Sequence, residues 1–207
     1  MRRASDALLV VDLQNDFLPG GALAVARGDE ILPLVNRIGA QFAVVVLTQD
    51  WHPAGHASFA SSHPGKRPFQ RIRLPYGEQI LWPDHCVQGS AGAAFAAGLD
   101  LPHAQAVIRK GHHRKVDSYS AFLEADRRTK TGLDGYLKSR GVKRVFCVGL
   151  ATDFCVAWTA LDARRFGLQA AVIEDACRAL DTDGSLQAAW KAMQKARVRR
   201  LSSAALL

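Results

Sequence analysis

The chain has 207 residues, 48% of them apolar and 22% charged, with a formal net charge of +8 at pH 7. This length fits one α/β domain with a substantial core, so we predict a single domain over 1–207. The apolar runs are too short to span a bilayer, and the basic start reaches the acidic Asp12 too soon for a signal peptide, so we expect a cytoplasmic protein. The basic residues are scattered and are not interleaved with aromatic side chains, which argues against nucleic-acid binding.

Apolar patterning in the first half predicts short buried strands and amphipathic helices. In chain order we predict a strand over 7–11, a helix over 30–40 that Asp29 caps, a strand over 42–47, a short helix over 89–98 and a strand over 104–108. From Trp51 to about Leu101, between the second and third strands, little periodicity is visible and four of the seven histidines occur. A loop this long is uncommon in a compact domain unless it is functional, so we predict a metal-binding active-site loop over about 50–104.

The second half continues the alternation of strands and helices. In chain order we predict a helix over 132–140 that ends at Gly141, a strand over 145–150, a helix from about 152 to 165, a strand over 168–173, a helix over 182–195 that Thr182 or Asp183 caps, and an edge strand over 198–201. This order predicts an α/β fold with a doubly wound, six-stranded, mostly parallel sheet and helices on both faces.

Three candidate catalytic residues follow different strands of this sheet. Asp12, Lys110 and Cys155 come directly after strands whose carboxyl ends share one edge, where ligands bind in such folds. A thiolate can attack a carbonyl carbon, an ammonium can stabilise the thiolate, and a carboxylate can move the proton. The helix start near Thr152 should also lower the pKa of Cys155. Each residue has a structural alternative: a turn carboxylate, a solvated strand end and a small buried cysteine.

A second constellation consists of one carboxylate and several histidines. Asp50 and His52 are two residues apart, so both can face one ion in an extended segment, and His85 would complete the set. Carboxylate and imidazole ligands suit zinc, manganese or iron. A turn carboxylate with a packing histidine is the structural alternative. Four other histidines are expected to be solvated or local hydrogen-bond partners, namely His63, His103, His112 and His113.

Six segments in the same order resemble the nicotinamidases, which belong to the isochorismatase-like cysteine hydrolases. They are Val11–Phe17, Thr48–Pro53, Trp82–Gly89, Arg109–Gly111, Asp117–Phe122 and Gly149–Val156. The resemblance implies a Rossmann-like three-layer fold with six parallel strands. It implies hydrolysis of nicotinamide to nicotinate and ammonia through a cysteine thioester, and hydrolysis of pyrazinamide as well. The segment 112–116 departs from the resemblance because it is unusually basic.

The resemblance also implies a role for individual residues. Asp12, Lys110 and Cys155 match the catalytic triad, and the amides of Ala151 and Cys155 match the oxyanion hole, with a cis peptide bond between Leu150 and Ala151. The implied metal ligands are Asp50, His52 and His85, and the implied pocket residues are Phe17, Trp82 and Tyr119. His56 matches a histidine that ligates the metal only in some members. Zinc is the favoured ion, with iron or manganese as alternatives, and a homo-oligomer is left open.

Three other interpretations remain open from the residues. A related amidase could act on a carbamoyl or ureido compound, although such relatives generally lack the metal residues. A bound metal could instead activate water, which would leave Cys155 structural. A basic, non-enzymatic binding protein would bind nucleic acid in a salt-dependent manner and would release no ammonia.

Overall fold

A computed structural model describes residues 3–207, so Met1 and Arg2, the beginning of the basic start, lie outside the described residues. The strands are β1 (Asp6–Val11), β2 (Val44–Asp50), β3 (Arg71–Leu74), β4 (Gly77–Ile80), β5 (Ala106–Lys110), β6 (Arg144–Leu150), β7 (Gln169–Arg178) and β8 (Arg199–Leu201). The helices are α1 (Leu32–Gly39), α2 (Leu133–Ser139), α3 (Ala157–Arg165) and α4 (Ser185–Lys195). Within 3–207, the helices lack the length and apolar composition that crossing a membrane requires.

The six-stranded sheet has the order β5–β2–β1–β6–β7–β8, and all its neighbouring strands are parallel. The chain builds outward from β1 to the β5 edge and then returns to place β6 on the other side of β1. Ligands bind at such a switch point, beyond the carboxyl ends of the strands. The predicted fold class, a doubly wound parallel sheet with helices on both faces, is confirmed.

Burial along the strands follows their position in the sheet. Every residue of β1 is buried because neighbouring strands and packed layers cover it. β5 instead alternates between exposed and covered residues because it lies at an edge, and Val107 is 48% exposed there. β7 runs five residues past its predicted end at 173, since its pairing with β6 resumes at Gly149 and Leu150 after a register shift. Glu174 and Asp175 interrupt the apolar pattern, which concealed this extension.

The long segment between β2 and β5 contains a hairpin that the sequence did not predict, formed by antiparallel β3 and β4. The helix predicted over 89–98 is wrong, because this segment forms turns. Its carbonyl groups bond to the loop after β1 instead, through Asn15 to Ala94 and Asp16 to Gly92, both at 3.0 Å. Gly92 also packs so closely on Asp16 that an added Cβ would lie 2.1 Å from the carboxylate Oδ2.

The predicted C-terminal end of α2 agrees with the structure, whereas the predicted N-terminal caps of α1 and α4 do not. Gly141 has a φ of 68° and closes α2, as predicted. Asp29 lies in a 3-10 turn before α1 and makes no side-chain cap. Neither Thr182 nor Asp183 caps α4; Asp181 Oδ1 accepts a 3.3 Å hydrogen bond from the Leu186 amide instead.

Candidate active site

Asp12, Lys110 and Cys155 lie in direct contact beyond the carboxyl ends of β1, β5 and β6. Lys110 Nζ lies 2.8 Å from Asp12 Oδ2 and donates to Cys155 Sγ at 3.3 Å. Asp12 and Lys110 are fully buried, and Cys155 is 6% exposed. Because parallel strands end at one edge of the sheet, residues far apart in the chain meet there. The predicted proximity of these three side chains is therefore observed.

The Lys110 ammonium bridges two carboxylates. Besides Asp12 and Cys155, it donates to a carboxylate oxygen of Asp50 and to the Ser118 carbonyl oxygen at 3.1 Å. Burial lowers the pKa of Lys110, but Asp12 and Asp50 outweigh this effect and hold that pKa well above its ordinary value. Although burial raises the pKa of Asp50, the same ammonium helps to hold it well below its usual range. Lys110 is therefore a fixed cation beside the thiol.

Asp12 is oriented by its neighbour on β2. Thr48 Oγ1 donates to Asp12 Oδ1 at 2.5 Å and accepts from the Asp12 amide at 3.2 Å. Asp12 has a φ of 48°, in the left-handed region, at the point where the chain leaves β1. Burial raises the pKa of Asp12 above its ordinary value, against the opposing charge of Lys110. A carboxylate with a raised pKa is a better proton acceptor than an ordinary one.

The environment of Cys155 corrects one expectation. Burial raises the pKa of the Cys155 thiol well above its ordinary value, and the Lys110 ammonium does not compensate. The predicted lowering of this pKa is therefore wrong for the unliganded chain. The physical reason is the nearly complete burial of the sulfur, since a low-dielectric environment penalises a thiolate more than one nearby cation favours it.

Cys155 lies in a π-helical turn over Thr152–Val156, directly before α3. Thr152 does not cap this turn, whose N-cap is Ala151. Asp153 instead accepts from the Leu180 and Asp181 amides at 3.1 and 2.9 Å, so it ties the turn to the segment before α4. The peptide bond between Leu150 and Ala151 is cis, as the resemblance implied.

Asp50, His52 and His85 form the predicted cluster of metal-binding side chains. Asp50 Oδ2 lies 3.7 Å from the Nε2 atoms of both His52 and His85, and all three residues are buried. Each Nδ1 donates to a backbone carbonyl oxygen, Gly111 at 3.0 Å for His52 and Pro83 at 2.8 Å for His85. In the neutral tautomer that these bonds favour, the Nε2 lone pair of each ring is free to bind a metal ion. The donor set therefore fits a divalent transition metal ion.

His56 lies beside this cluster but is engaged elsewhere. Its ring centroid is 4.4 Å from that of His52. Its Nε2 lies 3.1 Å from the carbonyl oxygens of both His113 and Val116, and its Nδ1 lies 2.7 Å from Ser58 Oγ. Because carbonyl oxygens only accept, Nε2 carries a proton here and has no lone pair for a metal ion.

A small cavity connects the two clusters. Cys155, Asp50, His52 and His85 line it, together with the predicted pocket residues Phe17, Trp82 and Tyr119. Trp82 Nε1 donates to the Tyr119 hydroxyl at 3.1 Å, which fixes both rings. An aromatic pocket with few polar groups suits a small planar ligand.

Sequence reasoning missed four residues that line this cavity: Leu23, Asp117, Phe154 and Leu180. Asp117 is buried and accepts from Gln79 Nε2 at 2.9 Å, so β4 helps to form the pocket wall. Phe154 packs edge-on against Trp82 with centroids 5.0 Å apart. Asp117 and Phe154 lie in segments that carry the family resemblance, so that signal could have found them. No local pattern marks Leu180, whose backbone amide donates to the Asp153 carboxylate.

Comparisons with known proteins agree with this geometry. Residues 6–205 match the model of the isochorismatase domain. A nicotinamidase from Acinetobacter baylyi is 59% identical over 100% of this chain and 97% of its own. A solved nicotinamidase/pyrazinamidase from Acinetobacter baumanii is 56% identical with a TM-score of 0.99, covering 100% of both chains. A zinc complex of a Pyrococcus horikoshii pyrazinamidase is 35% identical with a TM-score of 0.79, covering 96% of this chain and 99% of the other. This chain therefore belongs to the isochorismatase family and, within it, to the nicotinamidases.

Proposed function

We propose that this chain hydrolyses nicotinamide to nicotinate and ammonia through a thioester on Cys155, and that it also hydrolyses pyrazinamide. The observation that supports this most directly is the contact of Lys110 with both Asp12 and Cys155 in a small aromatic pocket. Membership of the nicotinamidases supports the choice of substrate. Pyrazinamide differs from nicotinamide by one ring nitrogen, so the same pocket accommodates it.

In the proposed first half-reaction, Asp12 takes the thiol proton of Cys155 while Lys110 stabilises the resulting anion. The thiolate attacks the carboxamide carbon, and the amide N–H groups of Ala151 and Cys155 donate to the oxyanion. Asp12 then returns the proton to the amine as the C–N bond breaks, and ammonia leaves. In the second half-reaction, water adds to the thioester carbonyl carbon while Asp12 accepts its proton. The C–S bond then breaks, Asp12 returns the proton to Cys155 Sγ, and the released nicotinic acid ionises to nicotinate.

Substrate positioning is assigned to the other residues of the pocket. Asp50, His52 and His85 would hold a divalent ion, which we propose to be zinc, as in the Pyrococcus horikoshii relative. When bound, the ion supplies a Lewis acid that anchors the ring nitrogen. Phe17, Trp82 and Tyr119 enclose the ring and exclude water. Holding the carboxamide over Cys155 in an attack geometry lowers the activation free energy by roughly several kcal/mol. The reason is that substrate binding has already met the entropy cost of bringing the two reactants together.

The test is an ammonia-release assay on nicotinamide and pyrazinamide, with and without a chelator. We expect Cys155→Ala to lower kcat by about 10⁴-fold or more while ligand binding persists. Cys147→Ala is the matched control, since Cys147 is a buried cysteine of β6 outside the pocket. Substantial turnover by Cys155→Ala would favour metal-activated water instead. Hydrolysis of a ureido compound without hydrolysis of nicotinamide would overturn the proposed substrate.

A further inference from the structure

The basic segment 112–116, which departs from the family resemblance, carries a second cluster of metal-ligating side chains. His113 Nδ1 lies 2.7 Å from Glu124 Oε1, and the ring centroids of His112 and His113 are 4.1 Å apart. One ligand atom from each of these three residues lies within 4.8 Å of the others. The sequence alone had predicted His112 and His113 to be solvated or local hydrogen-bond partners.

Glu124 supplies an independent observation that points to a cation. Its side chain is 1% exposed, yet Oε2 is buried with no hydrogen-bond partner in the part of the chain described, 3–207. A buried carboxylate oxygen without a partner is unfavourable, and such atoms are rare unless a water or an ion completes them. The hydrogen bond from His113 reaches only Oε1, so it does not remove this penalty.

We propose that His112, His113 and Glu124 form a second site for a divalent transition metal ion, separate from the cluster of Asp50, His52 and His85. Two imidazoles and one carboxylate are ligands that Zn²⁺ and Co²⁺ accept, with positions left open to solvent. Ligand atoms around tetrahedral zinc lie about 3.3 Å apart, given bonds of about 2.0 Å. The two exposed imidazoles can reach that spacing by small rotations, whereas the buried Glu124 provides a fixed anchor.

The charges around the cluster are compatible with a divalent cation. Asp117 and Asp126 add negative charge within electrostatic reach of Glu124. Arg114 and Lys115 lie on the same segment but are exposed, so solvent and salt screen their repulsion.

The segment that carries the second site also supports the first. The carbonyl oxygen of Gly111 accepts from His52 Nδ1, and that of His113 accepts from His56 Nε2. A single measurement of metal content would therefore mix the two sites, and variants must separate them.

The experiment counts Zn²⁺ bound by untagged, full-length protein after equilibrium dialysis, with Co²⁺ absorption spectra as a second readout. We expect two equivalents per chain for the wild type, one for His112→Ala, one for His85→Ala and none for the double variant. His103→Ala, which removes an exposed histidine elsewhere, should keep two. Glu124→Gln keeps the shape of the buried side chain and should weaken the second equivalent by about 100-fold or more, since even residues behind the ligands contribute 10–100-fold.

Two results would overturn this proposal. One is a wild type that binds a single equivalent, already lost in His85→Ala. The other is a second equivalent that persists in both His112→Ala and Glu124→Gln, because the ion would then lie elsewhere. Thermal unfolding of each variant establishes that a lost equivalent reflects a lost ligand and not a lost fold.

Discussion

Burial governs the proton chemistry of the individual residues in this site. It raises the pKa of the Cys155 thiol and also that of the Asp12 carboxyl group. The free energy of moving the proton from sulfur to oxygen depends on the difference between the two pKa values, and raising both changes this difference less than raising one. A buried thiol can therefore be activated inside the site, provided that the base is buried with it and Lys110 supplies the counter-charge.

At the residue scale, Thr48→Val should impair the positioning of Asp12. Hydrogen bonds to charged groups contribute about 1.5–3 kcal/mol, so we expect kcat to fall by about 10- to 100-fold if the loss falls on the transition state. Losing the donor to Oδ1 should also raise the pKa of Asp12. The acid limb of the pH profile of kcat/KM should then move to higher pH.

Thr129→Val is the control for this prediction. Thr129 also donates to a carboxylate, that of Asp126 at 2.7 Å, but lies outside the pocket. It should leave both kcat and the pH profile unchanged. A Thr48→Val enzyme with a wild-type acid limb would show that Thr48 does not tune Asp12.

At the scale of elements, the contact between β1 and β6 determines the geometry of the site, because Asp12 and Cys155 follow these two strands. Gly149, near the end of β6, has a φ of 113°, and a Cβ there would lie 2.1 Å from the Val11 carbonyl oxygen. The close approach of the two strands therefore requires a residue without a side chain at this point.

Gly149→Ala should destabilise the protein by about 3 kcal/mol or more, from steric overlap and an unfavourable φ combined. Denaturant unfolding measures this change. Gly135→Ala is the matched control, since Gly135 lies in α2 with open space around it. It should stabilise by about 0.5–1 kcal/mol. Equal stability of the two variants would contradict the role assigned to Gly149.

The same pair of strands is joined at its other end by Asp6 and Arg144. Arg144 donates to both carboxylate oxygens of Asp6, at 2.9 and 2.6 Å. Burial raises the pKa of Asp6, but the hydrogen bonds from Arg144 and from the Arg3 amide outweigh it and leave this pKa below its usual value. Because the pKa of Asp6 is lower in the folded state than in the unfolded chain, where it is about 3.9, the ionised carboxylate stabilises the fold at pH values above about 3.9. This stabilisation is lost as the pH falls through the pKa of the folded state.

Asp6→Asn should therefore lower the Tm at pH 7, and the difference from the wild type should narrow as the pH falls below about 4. Glu174→Gln, which alters an exposed ion pair with Arg200, should change the Tm little at either pH. A difference for Asp6→Asn that stays constant from pH 7 down to acid would mean that the charge of Asp6 does not stabilise the fold.

At the scale of the whole molecule, the pocket joins segments that are distant in the chain. Phe17 follows β1, Trp82 and His85 follow the β3–β4 hairpin, and Leu180 lies between β7 and α4. A ligand that contacts all of them stabilises the folded state, because those contacts do not exist in the unfolded chain. That the chain forms one domain over 1–207 stays a prediction.

Nicotinamide should raise the free energy of unfolding of metal-loaded Cys155→Ala by about 2.7 kcal/mol at 100 times its Kd. This variant binds the amide without consuming it. Benzamide, which lacks the ring nitrogen, should give a much smaller increase in Tm, and adding His85→Ala should abolish the difference between the two ligands. Equal stabilisation by benzamide and nicotinamide would contradict recognition of the ring nitrogen.

Local pattern allowed much of the fold to be predicted and less of the site. The sheet strands were recognisable because a strand buried on both faces needs a continuous apolar run, as in β1. The hairpin of β3 and β4 was missed because each strand has only four residues, too few for the alternation of Ile72 and Leu74 in β3 to stand out from the surrounding loop. The false helix over 89–98 arose because contacts with Asn15 and Asp16, distant in sequence, outweigh local helix propensity.

The sequence by itself determined the order in which the six sheet strands follow one another along the chain. It also determined the edge of the sheet where the site lies and the residue types available there. Asp12, Lys110 and Cys155 could be selected from their positions after strands, and the family resemblance supplied their roles. Only the tertiary structure decided their protonation, since pKa depends on burial and on charges brought in from other elements. It also decided that His56 bonds to carbonyl groups and that Glu124 lies buried beside His112 and His113, because such contacts join segments that no local pattern relates.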